Sequence, residues 1–466
     1  MVAVALTPVD WLVLIQHELL LFASLFFLFG TLDELAIDGL YLIGRMRGKI
    51  VTPRILRRDM EGRGLSGPVA VIVPAWHESD VIGPTMRHML AVWPQAQLRL
   101  YVGCYANDPE TIAAATRAAR GDGRVRIVVH AARGPTTKAD CMNRLYRAIE
   151  QDERREGRAF RMLVMHDAED MVDPAALPLF DAGLAQADLI QLPVLPAPHA
   201  GSRWVSGHYM DEFAEAHGKA MVVRDWLRAG FPLAGVGCAI ARERLSDLDA
   251  RADGRGPFDA ESLTEDYELG LNIFEAGGQG TFLRVRGDDG ALVATRAYFP
   301  RQLETAVRQK TRWICGIALQ GWDRMGWSSR PLDGWMRLRD RRGPFAALVL
   351  FVAYLLIVVS GILLAAQSFG VATHAAFTPL TEALLIANGA SLVWRALWRA
   401  VFTAREYGIG EGVRAVVRIP VSNLIAIMAG RRAVAQYVGS LRGAILRWDK
   451  TEHRDHPAIP RSTVLT

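Results

Sequence analysis

A run of 22 residues without one charged side chain, Phe345 to Ala366, limits what this chain can become more than any other feature. As a helix rising 1.5 Å per residue it is about 33 Å long, enough to cross the hydrocarbon core of a bilayer. Arg337, Arg339, Arg341 and Arg342 precede it, and the positive-inside rule puts that end at the cytoplasmic face. Leu12 to Leu32 reads as another span: it is too long for the apolar part of a cleaved signal, and residues 1–10 contain no Lys or Arg. A third, Leu380 to Phe402, carries Arg395 and Arg399 near one end, where their stems are expected to snorkel to the inner interface. The stretch Gly412 to Ala429 is broken by Arg414, Arg418 and Pro420 and reads as an amphipathic helix lying in the interface. Three spans leave the amino terminus and the 367–378 loop outside, with residues 45–340 and the carboxyl tail inside.

Composition agrees with such a division. The chain is 51% hydrophobic yet 22% charged, so apolar and polar stretches must be segregated along its 466 residues. The net charge of +5 could suit nucleic acid, but arginines crowd the ends of apolar runs, which favours a membrane and no nucleic acid. Cys104, Cys141, Cys238 and Cys315 are far apart and lack the close pairs of zinc or redox sites; they read as buried thiols in a reducing compartment. The expected order is a transmembrane helix and the start of an inner-face linker in 1–44, a cytoplasmic domain in 45–340, two transmembrane helices in 341–402, and an interfacial helix with a cytoplasmic tail in 403–466.

Between Val69 and Gln151 short apolar runs alternate with longer helical stretches: VAVIVP, a helix to Trp93, LRLYVGC, a helix from Pro109, VRIVVH and a helix after Lys138. This pattern predicts an α/β domain whose mostly parallel sheet is covered on both faces. Ligands of such sheets bind beyond the carboxyl ends of the strands. The run MLVM, 162–165, leads straight into His166-Asp167-Ala168-Glu169-Asp170. Asp167 and Glu169 there can hold Mg²⁺ or Mn²⁺ against a diphosphate, or the turn can simply cap the following helix. Thr264-Glu265-Asp266 opens a helical segment, so Asp266 is either a general base with Glu265 beside it or an ordinary acidic first turn. Gln309, Arg312 and Trp313, at i, i+3 and i+4 of a helix predicted from about Gln302 to Gln320, share one face. That face suits a diphosphate and a sugar ring, or an anchor at the membrane interface. His166 and His208 read either as ligands or, as lone histidines beside strands more often are, as hydrogen-bonded structural residues.

Taken in order, VPAWHE, the Asp-x-Glu cluster, Thr-Glu-Asp and Gln-x-x-Arg-Trp resemble the processive-type family 2 glycosyltransferases, which include cellulose and hyaluronan synthases. LDELAID at 32–38, HDAED, and WDKTEH at 448–453 resemble the membrane glycosyltransferase portion of the bacteriophage adsorption protein B family. The resemblance implies a GT-A, Rossmann-like catalytic domain and inverting transfer from a nucleotide diphosphate sugar. By position it puts Pro74 to Glu78 around the nucleoside, Asp108 toward the base and Lys138 on the phosphate side. Asp167 and Glu169 match its metal motif; the family more often has Asp second, which leaves open whether Asp170 helps instead. Asp266 matches the base, and Gln309, Arg312 and Trp313 match the grip on the diphosphate and the acceptor end. Gly235, Gly237 and Cys238 fall in the acceptor-binding segment, although Cys238 fits a packed core equally well.

These features lead to an expected enzyme of the bacterial inner membrane that extends an envelope or exported polysaccharide from a nucleotide sugar, with membrane lipids and export proteins as partners. The alternatives are single transfer to a polyprenyl phosphate lipid, or a non-catalytic scaffold for phage adsorption. Members of the adsorption protein B family often continue into a domain that senses a cyclic dinucleotide; any such control is expected from another polypeptide or is absent.

Overall fold

The computed structural model describes residues 7–370, 377–444 and 455–459. The WDKTEH segment and the middle of the 367–378 loop lie outside the described residues.

The expected alternation is present. Strands β1 (Val69–Pro74), β2 (Leu98–Tyr105), β3 (Val125–His130), β4 (Met162–Met165), β5 (Leu189–Gln191), β6 (Cys238–Ala241) and β7 (Gly280–Phe282) form one sheet in the order β3-β2-β1-β4-β6-β5-β7. Only β6 runs antiparallel to its neighbours, β4 and β5. Central register is set by Val71 opposite both Leu100 and Val164. Residues 69–73 of β1 are wholly buried. Val69, Val71 and Val73 point into one core with Met86 and Trp93, while Ala70 and Ile72 point into another with Leu145 and Tyr146. Helices α2 (Ile82–Val92) and α3 (Pro109–Ala119) supply the first layer and α4 (Lys138–Glu156) the second. A strand buried on both faces has no polar positions to spare, hence the unbroken apolar runs in the sequence. This is the GT-A type of α/β fold.

The apolar helices wrap one side of this domain. Helix α1 (Pro8–Met46) is capped by Thr7, which accepts the Asp10 N–H at 3.2 Å. Helices α5 (Val205–Glu215), α6 (Glu265–Glu275), α7 (Leu303–Ile314) and α8 (Pro331–Arg341) come after α4, and α9 (Gly343–Ser368), α10 (Pro379–Tyr407), α11 (Ile409–Val417) and α12 (Ile419–Leu441) follow. Among the described residues α1 and α9 are each long and apolar enough to cross a membrane, whereas α10, expected as the third span, is not among them. Its polar face is turned to α1: Ser391 meets Thr31 at 2.7 Å, Asn388 Nδ2 donates to the Ser24 carbonyl at 3.0 Å, and Arg395 pairs with Glu34 at 2.5 Å. The expected interfacial helix is instead two helices, α11 and α12, bent by 52°, which together are apolar enough for one span. Pro420 at the start of α12 cannot donate to the preceding turn, which accounts for the break.

Arginines expected to face lipid headgroups turn out to be ion-paired. Arg399 lies 3.2 Å from Asp211. Arg418 is fully buried, 2.6 Å from Asp211 and 2.7 Å from Glu411. Arg339 and Arg342 both pair with Asp33 and Glu34 of the LDELAID segment. Its Asp38 holds Lys219 at 2.5 Å and accepts Trp394 Nε1 at 2.8 Å.

Candidate active site

The carboxyl ends of β1, β2 and β4 open onto a cleft. After β4 the chain turns sharply through His166 to Asp170. Asp170 folds beneath this turn, 2% exposed, with Oδ2 2.8 Å from His166 Nδ1 and accepting the Asp167 N–H at 2.9 Å. Burial raises its pKa against the opposing effect of His166. Asp170 is therefore a brace inside the turn, and it leaves the Asp167 side chain 33% exposed toward the cleft. Glu169 lines the same cleft.

Lys138 opens α4, whose cap is Thr137. Its Nζ lies 2.6 Å from Asp167 Oδ1 and 3.7 Å from Glu265 Oε1. Expected beside phosphate, it stands as the counter-ion of the acidic cluster. Glu265 and Asp266 form the first turn of α6, and Asp266 Oδ1 accepts the Tyr267 N–H at 2.8 Å. Gly235, at φ +75°, lets the neighbouring turn press on this carboxylate, because a Cβ there would come within 2.5 Å of Asp266 Oδ2.

Helix α7 presents Gln309, Arg312 and Trp313 to the cleft. Lys310 points away and bonds Glu212 of α5 at 2.6 Å, as the helical spacing requires. Trp313 packs edge-on against Tyr209 at 6.1 Å and near Phe213 at 6.4 Å. Beyond the motif the helix widens into a π-turn, Cys315–Gln320, which lets Gly316 sit with its missing Cβ position 2.6 Å from Thr264 Oγ1. The sequence predicted an unbroken helix there.

Electrostatically the cleft is short of positive charge. Burial pushes Glu265 up to about 7, opposed by Lys138 and reinforced by Asp266. Burial likewise raises Asp266, opposed by Lys138 and Arg312 and reinforced by Asp167. Burial opposes the Lys138 charge, but Asp167, Glu265 and Asp266 outweigh it and push its pKa above the ordinary lysine value. An added cation would relieve the repulsion among these carboxylates. Among the described residues no three His, Cys, Asp or Glu side chains form a self-sufficient metal site. The donor set fits a magnesium-like ion that takes one or two carboxylates from the protein and its other ligands from phosphate and water.

Three expected contacts are not at the cleft surface. Asp108 is 3% exposed and accepts the His77 N–H at 2.6 Å and the Thr111 N–H at 3.3 Å, so it caps α3 and holds the 77 turn. Gly237 leaves room for Thr295, against which any Cβ would collide, and its carbonyl accepts the Leu192 N–H at 2.9 Å. Cys238 is wholly buried within β6, and burial raises its pKa. Ala234 and Val236 line the cleft in their place, alongside Pro74 and Glu78. His208 lies in α5, buried and bonded to the Val205 carbonyl.

Trp76 falls in the 74–78 segment expected around the nucleoside, whereas several other lining residues escaped the sequence reading. Trp76 packs against Tyr105 at 5.0 Å, and Tyr105 stacks on His130 at 5.1 Å, making an aromatic wall near Pro74. Tyr105 is the last residue of β2, a place to which the carboxyl-end rule points. Phe213 and Phe299 carry no comparable signal, because they reach the cleft only through the packing of α5.

A family model described as glycosyltransferase like family 2 matches residues 67–316. Bacteriophage adsorption protein B of Escherichia coli (strain K12) and bacteriophage N4 adsorption protein B of Escherichia coli O157:H7 are each 34% identical to this chain over 97% of its length. The chain spans 64% of the length of these curated relatives. Among solved structures, glucosyl-3-phosphoglycerate synthase from Mycobacterium tuberculosis with phosphoglyceric acid superposes with a TM-score of 0.35 at 17% identity, over 56% of this chain and 81% of that one. The same synthase with Mn²⁺, UDP and glucosyl-3-phosphoglycerate gives 0.32 at 16% identity, over 51% and 74%.

Proposed function

The chain belongs to the glycosyltransferase like family 2, and from that premise we propose that it is a membrane-anchored inverting enzyme transferring a sugar from a nucleotide diphosphate, a UDP-sugar above all, to a growing envelope polysaccharide. One observation carries the reading. Asp167, Lys138, Glu265, Asp266, Gln309, Arg312 and Trp313, distant in sequence, meet in one cleft at the carboxyl edge of the sheet.

The donor enters with its nucleoside toward Trp76 and Tyr105 and its diphosphate toward Asp167, Gln309 and Arg312. A divalent ion held by Asp167 and Glu169, Mg²⁺ or Mn²⁺, would neutralise the charge that develops on the departing diphosphate. Asp266 removes the proton from the acceptor hydroxyl, whose oxygen attacks the anomeric carbon on the face opposite the nucleoside diphosphate. The sugar–phosphate bond breaks, configuration inverts, and Arg312 and Gln309 hold the leaving group. The raised pKa of Asp266 makes it a stronger base than a solvated carboxylate. Trp313 and its aromatic neighbours offer a flat apolar wall to the acceptor ring. The basic run Arg45, Arg47, Lys49 and Arg54, which begins in the last turn of α1, supports a cytoplasmic catalytic domain at the inner membrane.

Purified protein supplied with a panel of radiolabelled UDP-sugars and Mn²⁺ or Mg²⁺ tests this reading. Labelled product too large for a lipid extract supports polymer synthesis. Label confined to a polyprenyl phosphate fraction replaces it with single transfer to lipid, and no turnover with any donor rejects the enzyme reading.

A further inference from the structure

After the membrane helices the chain returns to the catalytic domain, and residues 455–459 lie against it. His456 is 2% exposed and Thr85 of α2 is wholly buried. His456 Nδ1 accepts the Ala458 N–H at 3.1 Å, so the proton of the neutral ring sits on Nε2. That Nε2–H donates to Thr85 Oγ1 at 3.0 Å. The Thr85 hydroxyl in turn has two carbonyls in reach, Ala168 at 2.5 Å and Val81 at 3.0 Å, and donates to the nearer. Ala168 is the residue between Asp167 and Glu169. Next to His456, the Asp455 carboxylate lies 3.4 Å from His199 Nε2 and 3.2 Å from Arg301 Nη1. His199 packs edge-on against Tyr298 at 5.1 Å, and Tyr298 lines the cleft.

We propose that Asp455 and His456 are positioning residues for the transfer reaction: a two-residue staple joining the back of the Asp167–Glu169 turn, through Thr85, to the 298–301 segment that leads into α7. The inference rests on the reading of that turn as the metal site. Both walls joined by the staple carry groups assigned to the diphosphate, so it fixes their separation. The relay depends on direction. A neutral imidazole with its proton on Nε2 satisfies the Thr85 oxygen, which leaves the single hydroxyl proton for the Ala168 carbonyl and holds the backbone between the two carboxylates. Burial, reinforced by Arg87 and His88, keeps His456 neutral, with its pKa lowered to about 4.

The test measures Mn²⁺ binding to the full-length protein in the presence of UDP by electron paramagnetic resonance, together with the Mn²⁺ dependence of turnover. His456→Ala and Thr85→Val should each weaken Mn²⁺ about tenfold, the size of an effect on the groups that orient a metal ligand, with turnover recovering at saturating Mn²⁺. His456→Gln, which keeps an N–H donor, and Thr85→Ser, which keeps the hydroxyl, should restore most of the affinity. Wild-type Mn²⁺ curves for His456→Ala and Thr85→Val, beside an Asp167→Asn control that has lost Mn²⁺, would overturn the staple and leave the metal site standing. So would turnover lost equally at every Mn²⁺ concentration, which is the mark of a general loss of folded protein. If Asp167→Asn binds Mn²⁺ normally, the metal reading itself fails.

Discussion

Two groups of charged residues in this molecule are built differently. At the junction with the apolar helices, Asp33, Glu34 and Asp38 of α1 meet Arg339, Arg342, Arg395 and Lys219, and nearby Asp211 meets Arg399 and Arg418. Each of these carboxylates has a cation within ion-pair distance. In the cleft, Asp167, Glu265 and Asp266 share Lys138 and Arg312, and Glu265 and Asp266 are both pushed toward protonation. A neutralised cluster is complete and holds two parts of the protein together. A cluster with more carboxylates than cations is unfinished, and it is completed by a metal, a substrate or a proton. The LDELAID segment therefore belongs to the first class despite being as acidic as the HDAED segment.

Four substitutions can break or sharpen that contrast. The largest effect is expected at Asp266, where Asn keeps the shape and the helix start but cannot accept a proton. Turnover should fall by about 10²–10⁴-fold with nucleotide-sugar binding within a fewfold of normal. Steady-state kinetics with a binding titration decide this, and near-normal turnover in a folded Asp266→Asn protein returns the residue to an ordinary first turn. Asp167→Asn should cost about 10²-fold, and excess chelator on the wild type should reproduce it; full activity in chelator would remove the metal from the scheme.

On the other side of the comparison, Glu34→Gln leaves Arg342 and Arg395 facing a neutral amide. It should destabilise the protein by about 3 kcal/mol in denaturant unfolding while the donor KM of the folded enzyme stays unchanged. A changed KM with unchanged stability would mean the junction serves the reaction directly. The smallest effect concerns Glu265, whose pKa rises on folding from 4.5 to about 7. The folded state then binds more protons than the unfolded one between those values, so stability must fall as pH rises through that window. Glu265→Gln should flatten this slope, by up to about 2 kcal/mol between pH 5 and pH 8. Parallel slopes for the two proteins would show that the cleft is not short of cations.

The α/β domain was legible because its strands are buried on both faces, which writes each as a short apolar run such as VAVIVP or MLVM. The residues at the ends of those runs were legible for the same reason, through the rule that ligands gather there. Arg395, Arg399 and Arg418 were not. An arginine beside an apolar run looks the same whether it reaches for headgroups or for a carboxylate far away in sequence, and here Glu34 and Asp211 are those carboxylates. Asp108 and Cys238 were assigned by position in a family motif, which says nothing about which way a side chain points once its neighbours cap or bury it. The tail contact of His456 has no local signature, because an isolated histidine gains its meaning only from Thr85.

The π-turn after Trp313 acts as a fixed phase offset in the helix. Gly321 N–H donates to the Gly316 carbonyl, five residues back, so one extra residue is accommodated before the chain resumes α-helical winding. Upstream of it the helix serves the cleft. Downstream, Asp323 accepts the Tyr437 hydroxyl at 2.6 Å and Arg324 holds Glu268 at 3.0 Å. Removing one residue from 315–320 would restore ordinary winding and rotate everything beyond it by about 100°, turning Asp323 and Arg324 away from α12 and α6 together. The segment between Trp313 and the first of the late apolar helices thus has a length that cannot drift, even where its side chains can.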